Sequence, residues 1–278
     1  MGVSPAGFTV FSQELYYDES IQAIVSYADA PRRRELHARI VDDLPHTSTA
    51  TRKRIATKII QRYFVSPDGS FPSTPFLKLV SGTERKDIRL DLLYWRAART
   101  DAVIEAVAGE LFYPYFVLGT VPQGYTESEF HMANTATLFS VDSVITRDFA
   151  VEYARKVWSF DSPRSITLAL RIMRQAEILD AVSVTMGRRR VHGYYPLPHT
   201  PRVEVFGYCL YEEFLEESPL ISTDRLRNSA FAKIFLLSGL QMDSLAKMAE
   251  RKRLLAAEGR YWRLTKKSLA EVVETLKG

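Results

Sequence analysis

From residue 18 to residue 180 the apolar side chains recur at spacings of three and four, a period that fits amphipathic helices and leaves no room for an extended sheet. The pattern divides into segments at 18–28, 31–42, 48–64, 84–99, 101–116, 126–138, 146–159 and 163–180. Pro67, Gly69, Pro72 and Pro75 punctuate 66–75, and Gly119, Pro122 and Gly124 punctuate 119–124, so these stretches are expected as loops or linkers. The sequence shows no repeat of fixed period.

The period changes after Asp180. Val182–Met186 alternates, Gly187–Arg190 can turn and Val191–Tyr195 can return, which predicts a β-hairpin with a basic tip at Arg188, Arg189 and Arg190. Arg202–Tyr208 reads as a second short strand. Helices are expected again at 208–217, 223–237 and 241–257, then an extended 260–264 and a last helix at 266–276. The fold class is mainly α, a multi-helix protein with helix-turn-helix or winged-helix units and small β-hairpins. Four segments follow: a helix-turn-helix-like unit over 1–66, a helical bundle over 67–140, a winged-helix-like unit over 141–200 and a helical or winged-helix-like extension over 201–278.

Composition excludes several classes. With 46% hydrophobic and 25% charged residues the chain has the usage of a globular protein, not of a disordered or coiled-coil one. One cysteine, Cys209, rules out an internal disulfide framework and a thiolate cluster, which suits a reducing cytoplasm. The longest uncharged run, 111–126, holds two prolines and two glycines and is shorter than the roughly 20 apolar residues of a membrane span. No membrane partner and no signal peptide are expected.

Positive charge lies in blocks. Between Arg32 and Arg62 nine Lys or Arg face three acids, and from Ser222 to Gly278 twelve face six, although the whole chain is only +4. The best-defined basic unit begins at the helix from Pro163, where Ser162 suits the N-cap and proline the first turn. Ile166, Ala169, Leu170, Met173 and Ala176 fall on one face and Arg164, Thr167, Arg171, Arg174 and Gln175 on the other, from a step of about 100° per residue. Helix, turn, basic-faced helix and basic-tipped hairpin is the order of a winged helix-turn-helix, whose second helix enters the major groove while guanidinium forks meet phosphate. A solvated basic face is the competing reading.

A second block is the helix capped by Ser48, with Ile55, Ala56, Ile59, Ile60 and Tyr63 inward and Arg54, Thr57, Lys58 and Gln61 outward. A third, Arg251–Arg253, Gly259–Arg263 and Lys266–Lys267, mixes aromatics with charge as nucleic-acid surfaces do. Catalytic patterns are missing. The five histidines, His37, His46, His131, His192 and His199, have no metal-binding spacing, and GxSxG, P-loop and GxGxxG motifs do not occur. Cys209 reads as a buried small hydrophobe. Glu212, Glu213, Glu216 and Glu217 read as a solvated helix face or as partners for nearby arginines. No catalytic residue, metal or cofactor is expected.

Ser48–Ile55 (STATRKRI), Leu92–Phe112 and the run from Trp158 into Arg164–Leu179 together resemble the BrxA family of BREX bacteriophage-resistance systems, over about residues 15 to 195. That resemblance implies a helical protein with helix-turn-helix units, similar in part to the antitermination factor NusB, that binds DNA and assists a multi-protein defence complex. It leaves 200–278 unexplained. The expectation is a cytoplasmic, non-enzymatic component that binds double-stranded DNA through Arg54, Lys58, Arg164, Thr167, Arg171, Arg174, Arg188, Arg189 and Arg190, beside other defence-system proteins and in an unspecified oligomeric state. The alternative is a NusB-like RNA-binding or protein-bridging adaptor.

Overall fold

Two small antiparallel sheets, each a hairpin joined by one short strand from earlier in the chain, interrupt an otherwise helical protein. The computed structural model describes residues 15–29, 32–66, 69–133, 144–186 and 189–277, with backbone alone at 131–133, 184–186 and 189–190. The chain divides into two compact units, both discontinuous in sequence. Unit 1 contains 101–200 and 224–244, and unit 2 contains 15–100, 201–223 and 245–278.

Unit 2 opens with α1 (Tyr17–Tyr27), α2 (Arg33–Asp43) and α3 (Thr49–Ile59), which runs on into a π-helical turn at Ile60–Phe64. It continues with α4 (Thr74–Gly82) and α5 (Lys86–Thr100). Helix α4 begins at Thr74, at the end of the 66–75 stretch expected as a loop, and runs through 76–82, where the periodicity assigns no element. Pro75 is tolerated because it sits in the first turn, where its missing N–H has no intrahelical partner to lose. Helix α5 is buried almost all round, and Trp95, Tyr94 and Leu92 are fully enclosed.

Unit 1 follows with α6 (Ala102–Ala106), a π-helical stretch at Val107–Phe112, α7 (Tyr113–Phe116) and α8 (Glu127–Ala133). Then come β1 (Ile145–Thr146), α9 (Arg147–Trp158), α10 (Pro163–Gln175), β2 (Leu179–Met186) and β3 (Arg189–Pro196). The sheet order β1-β3-β2, with two helices between the first strand and the hairpin, is that of a winged helix. Trp158 anchors α9, its indole Nε1–H donating to Glu110 Oε2 at 2.8 Å while the ring stays buried. Helix α10 stops at Gln175, five residues short of the expected end. Glu177 turns left-handed (φ 59°), and Ile178 N–H returns to Met173 O at 3.0 Å, closing the helix and launching β2.

The remaining elements are α11 (Val203–Phe214), β4 (Leu220–Ser222), α12 (Thr223–Arg227), α13 (Ala230–Ile234), α14 (Gly239–Arg251), β5 (Leu255–Glu258), β6 (Tyr261–Leu264) and α15 (Leu269–Lys277). Arg202–Tyr208, expected as a strand, belongs to α11, whose residues from Val205 to Tyr211 are all buried. The helix expected to reach 257 ends at Arg251, and the residues beyond it pair as β5 against β6. The second sheet has the order β4-β6-β5, matching the first.

Spacing matches as well, so the structure carries a repeat that residue identity conceals. Helix α9 starts at Arg147 and α12 at Thr223, 76 residues later; α10 starts at Pro163 and α14 at Gly239, and β2 starts at Leu179 and β5 at Leu255, again 76 apart. The closing turn recurs in register: Arg253 is left-handed like Glu177 (φ 56°), and Leu254 N–H returns to Ala249 O at 2.9 Å as Ile178 does to Met173.

Candidate nucleic-acid interface

Helix α10 separates its residues as its sequence predicts. Ile166, Ala169, Leu170, Met173 and Ala176 are buried, while Arg164, Arg171, Arg174 and Gln175 are exposed. Pro163 occupies the first turn. Ser162 is the N-cap residue by position, but its hydroxyl bonds Ser165 Oγ at 2.8 Å and caps no backbone N–H.

Basic residues of both helices act electrostatically on one position of the sheet. Tyr194 of β3 pairs with Ile145 of β1 and Ala181 of β2, which places it on the central strand. Burial raises its phenol above the usual range, and the guanidiniums of Arg147, Arg174 and Arg171 oppose that rise. The charges of three cations from two helices are therefore felt at this one ring. Arg171 and Arg174 stand in the sequence pattern; Arg147, at the first position of α9, has no periodic signal there and emerges only from the fold.

Thr167 fastens that arrangement. Its Oγ1 accepts from Arg147 Nε–H at 2.8 Å, and its hydroxyl hydrogen goes to Pro163 O at 2.7 Å. The threonine thus holds an arginine in place, and its own donor is already engaged. Arg174 Nε lies 3.7 Å from Asp180, an exposed pair of small energetic weight. Asp180 also accepts from Ala181 N–H at 2.7 Å and from Tyr195 O–H at 3.2 Å. Arg189 and Arg190 open β3 opposite Met186 and Thr185. Arg188 lies outside the described residues.

In unit 2, α2 and α3 pack together across the turn at Leu44–Ser48. Ser48 caps α3, accepting from Thr51 N–H at 3.4 Å. Ile55, Ala56 and Ile59 turn inward, Arg54 is exposed and Lys58 is half-buried. His37 Nε2 lies 3.2 Å from Thr57 Oγ1, joining the two helices, so Thr57 is partly turned toward α2.

The remaining reactive groups have structural partners. Glu212 is no solvated residue: it accepts from Arg96 Nη2 at 2.7 Å, Trp95 Nε1 at 2.6 Å and Tyr208 O–H at 3.0 Å. Cys209 is buried, and burial pushes its thiol up, with Glu212 and Asp91 adding to the rise. His199 stacks on Phe235 with centroids 6.0 Å apart. Among the described residues no cluster of three His, Cys, Asp or Glu is placed to hold a metal ion, and no helix is long and apolar enough to cross a membrane. Set against protein families, curated proteins and solved structures, the chain matches none.

Proposed function

We propose that this protein is a cytoplasmic, non-enzymatic component of a bacterial phage-defence assembly of the BREX type, which binds double-stranded DNA and works beside other proteins of that assembly. The observation that supports DNA binding is the exposed Arg164, Arg171 and Arg174 face of α10, with Arg147 bonded to Thr167 of that helix, on a winged-helix frame. The defence assignment is supported by the resemblance of 15–195 to the BrxA family.

In this reading α10 lies in a groove with Arg164, Arg171 and Arg174 toward the duplex, and Arg147 joins them at the backbone. The hairpin with Arg188, Arg189 and Arg190 meets the adjacent phosphates, and Arg54 and Lys58 form a further contact on α3. Affinity then comes mainly from released counterions. Four phosphate contacts would weaken binding about a hundredfold between roughly 50 and 200 mM salt.

Fluorescence anisotropy with duplex DNA, single-stranded DNA and duplex RNA across salt concentrations tests this. Duplex DNA is expected to bind with a steep salt dependence, and binding at the α10 surface is expected to be lost on Arg171→Glu or on the triple change of Arg188, Arg189 and Arg190 to Glu. Preference for RNA, or no binding to any of the three at low salt, overturns it in favour of an RNA-binding or protein-bridging adaptor.

A further inference from the structure

The 76-residue repeat places a second basic surface on the same frame. Arg171 of α10 corresponds to Lys247 of α14 and Gln175 to Arg251, each 76 residues on and each exposed, while Arg164 and Arg174 answer to Leu240 and Glu250, so the basic face of α14 lies at Lys247 and Arg251. The apolar positions correspond too: Ile166, Ala169, Leu170 and Met173 answer to Met242, Leu245, Ala246 and Ala249, all buried. At the sheet, Ile145 lies opposite Tyr194 and Ile221 opposite Trp262. The scaffold recurs in its core, so the side chains it leaves outside occupy corresponding positions.

Those side chains carry the same net positive charge in the second copy. From Gly239 to Val272, the stretch 76 residues on, there are eight Lys or Arg against four acids, where Pro163–Pro196 has six against two. Lys252 is engaged by Glu204 at 2.8 Å and Arg263 by Glu258 at 2.6 Å. Lys247, Arg251, Arg253 and Arg260 stand exposed. The hairpin tip is tight: Glu258 pairs with Tyr261, Gly259 takes the left-handed conformation (φ 63°) that the turn requires, and Arg260 follows it. Tyr261, beside Arg260, is 51% exposed, unusual for a phenol with a core available and suited to a sugar or a base. Thr223 N–H donates to Arg260 O at 2.9 Å, tying the tip to the start of α12.

We infer that the β5–β6 wing and the C-terminal half of α14 form a second duplex-DNA-binding surface in unit 2, with Lys247, Arg251 and Arg260 on phosphate and Tyr261 at the groove edge. An acidic protein would also be drawn to this charge, but a hairpin tip and an exposed helix face are the two shapes that enter a groove of duplex DNA. The inference rests on the reading of α10 as a DNA-binding helix, because it is the correspondence with α10 that assigns the partner.

The test uses the full chain and two triple variants, Lys247→Gln/Arg251→Gln/Arg260→Gln and Arg164→Gln/Arg171→Gln/Arg174→Gln. Every changed residue is exposed, and thermal melting by circular dichroism checks that each variant folds. Sedimentation with a short duplex reads stoichiometry, and anisotropy across salt reads the slope of log K on log salt. Two duplexes per wild-type chain are expected and one for either variant, with a slope reduced by about 0.9 for each phosphate contact removed. One duplex per wild-type chain, with the α14 variant unchanged, overturns the inference and leaves the α10 reading standing. Binding abolished by the α14 variant and untouched by the α10 variant sinks the α10 reading instead. No duplex bound by the wild type overturns both.

Discussion

Arg147, the first residue of α9, is tied to the middle of α10 by a 2.8 Å hydrogen bond from its Nε–H to Thr167 Oγ1. The corresponding position of α14, Asp243, likewise holds an arginine of the preceding helical region, accepting from Arg227 Nε–H at 3.0 Å. The helix that carries the exposed basic face therefore also fixes a cation from its neighbour in both copies. Chemistry differs, hydroxyl in one and carboxylate in the other, while the role is kept.

Thr167→Val keeps the shape and removes the acceptor. Loss of one net hydrogen bond predicts destabilisation of about 1 kcal/mol. Duplex-DNA affinity is expected to fall several-fold as Arg147 loses its anchor, and Thr167→Ser is expected to restore it. Urea denaturation and anisotropy read the two effects separately. Wild-type affinity in the valine variant would show that Arg147 does not contribute from this position.

The Arg96–Glu212 pair makes a second case. Its side chains are 0% and 9% exposed, and Glu212 also satisfies Trp95 and Tyr208. Glu212→Ala strands a buried guanidinium and is expected to cost about 3–5 kcal/mol, whereas Arg96→Met/Glu212→Leu is expected to recover most of that loss. Equal denaturation midpoints for the alanine variant and the wild type would show that the pair is not buried in solution.

How much of this was legible from residues alone depends on what carried the signal. The two faces of α10 were readable because Ile166, Leu170 and Met173 keep a strict helical period. Helix α4 was hidden by Pro72 and Pro75, which mark a helix start as often as a loop. The strand β5 was hidden because Leu254 and Leu255 continue the period of α14, and the break comes from the left-handed Arg253, which has no glycine to announce it. The repeat is not legible in the residues because it lives in burial: Leu170 answers to Ala246 and Met173 to Ala249, apolar in each case, and identities such as Leu179 with Leu255 are few. Arg147 was beyond reach, since its importance lies in a bond to a residue 20 positions away.

Close packing around Leu254 gives the next prediction. A Cβ on Gly207 of α11 would lie 2.6 Å from Leu254 Cδ1, and Leu254 is fully buried. Gly207→Ala is expected to destabilise the protein by about 1–3 kcal/mol through overpacking. Adding Leu254→Val should make the double variant more stable than the sum of the two single changes. Additive losses would mean that the two groups do not meet.

Cys209 predicts how stability responds to alkali. Burial, aided by Glu212 and Asp91 and opposed by Arg96, holds the folded thiol neutral well above the pH at which a free thiol ionises. In the unfolded chain that ionisation begins near about pH 8.5, so above it the unfolded state has released a proton that the folded state retains. The contribution is complete below that pH and is lost as the pH rises, with a limiting slope of about 1.4 kcal/mol per pH unit. Buried Tyr208, raised in the same way, adds its own loss from about pH 10 upward. Cys209→Ala removes the first of these and leaves the second. Urea denaturation at pH 7.5, 8.5 and 9.5 is therefore expected to show the wild type losing about 1 kcal/mol more than the variant over the last step. Parallel curves would mean that the thiol ionises in the native state, and the enclosure of α11 around Cys209 would then be wrong.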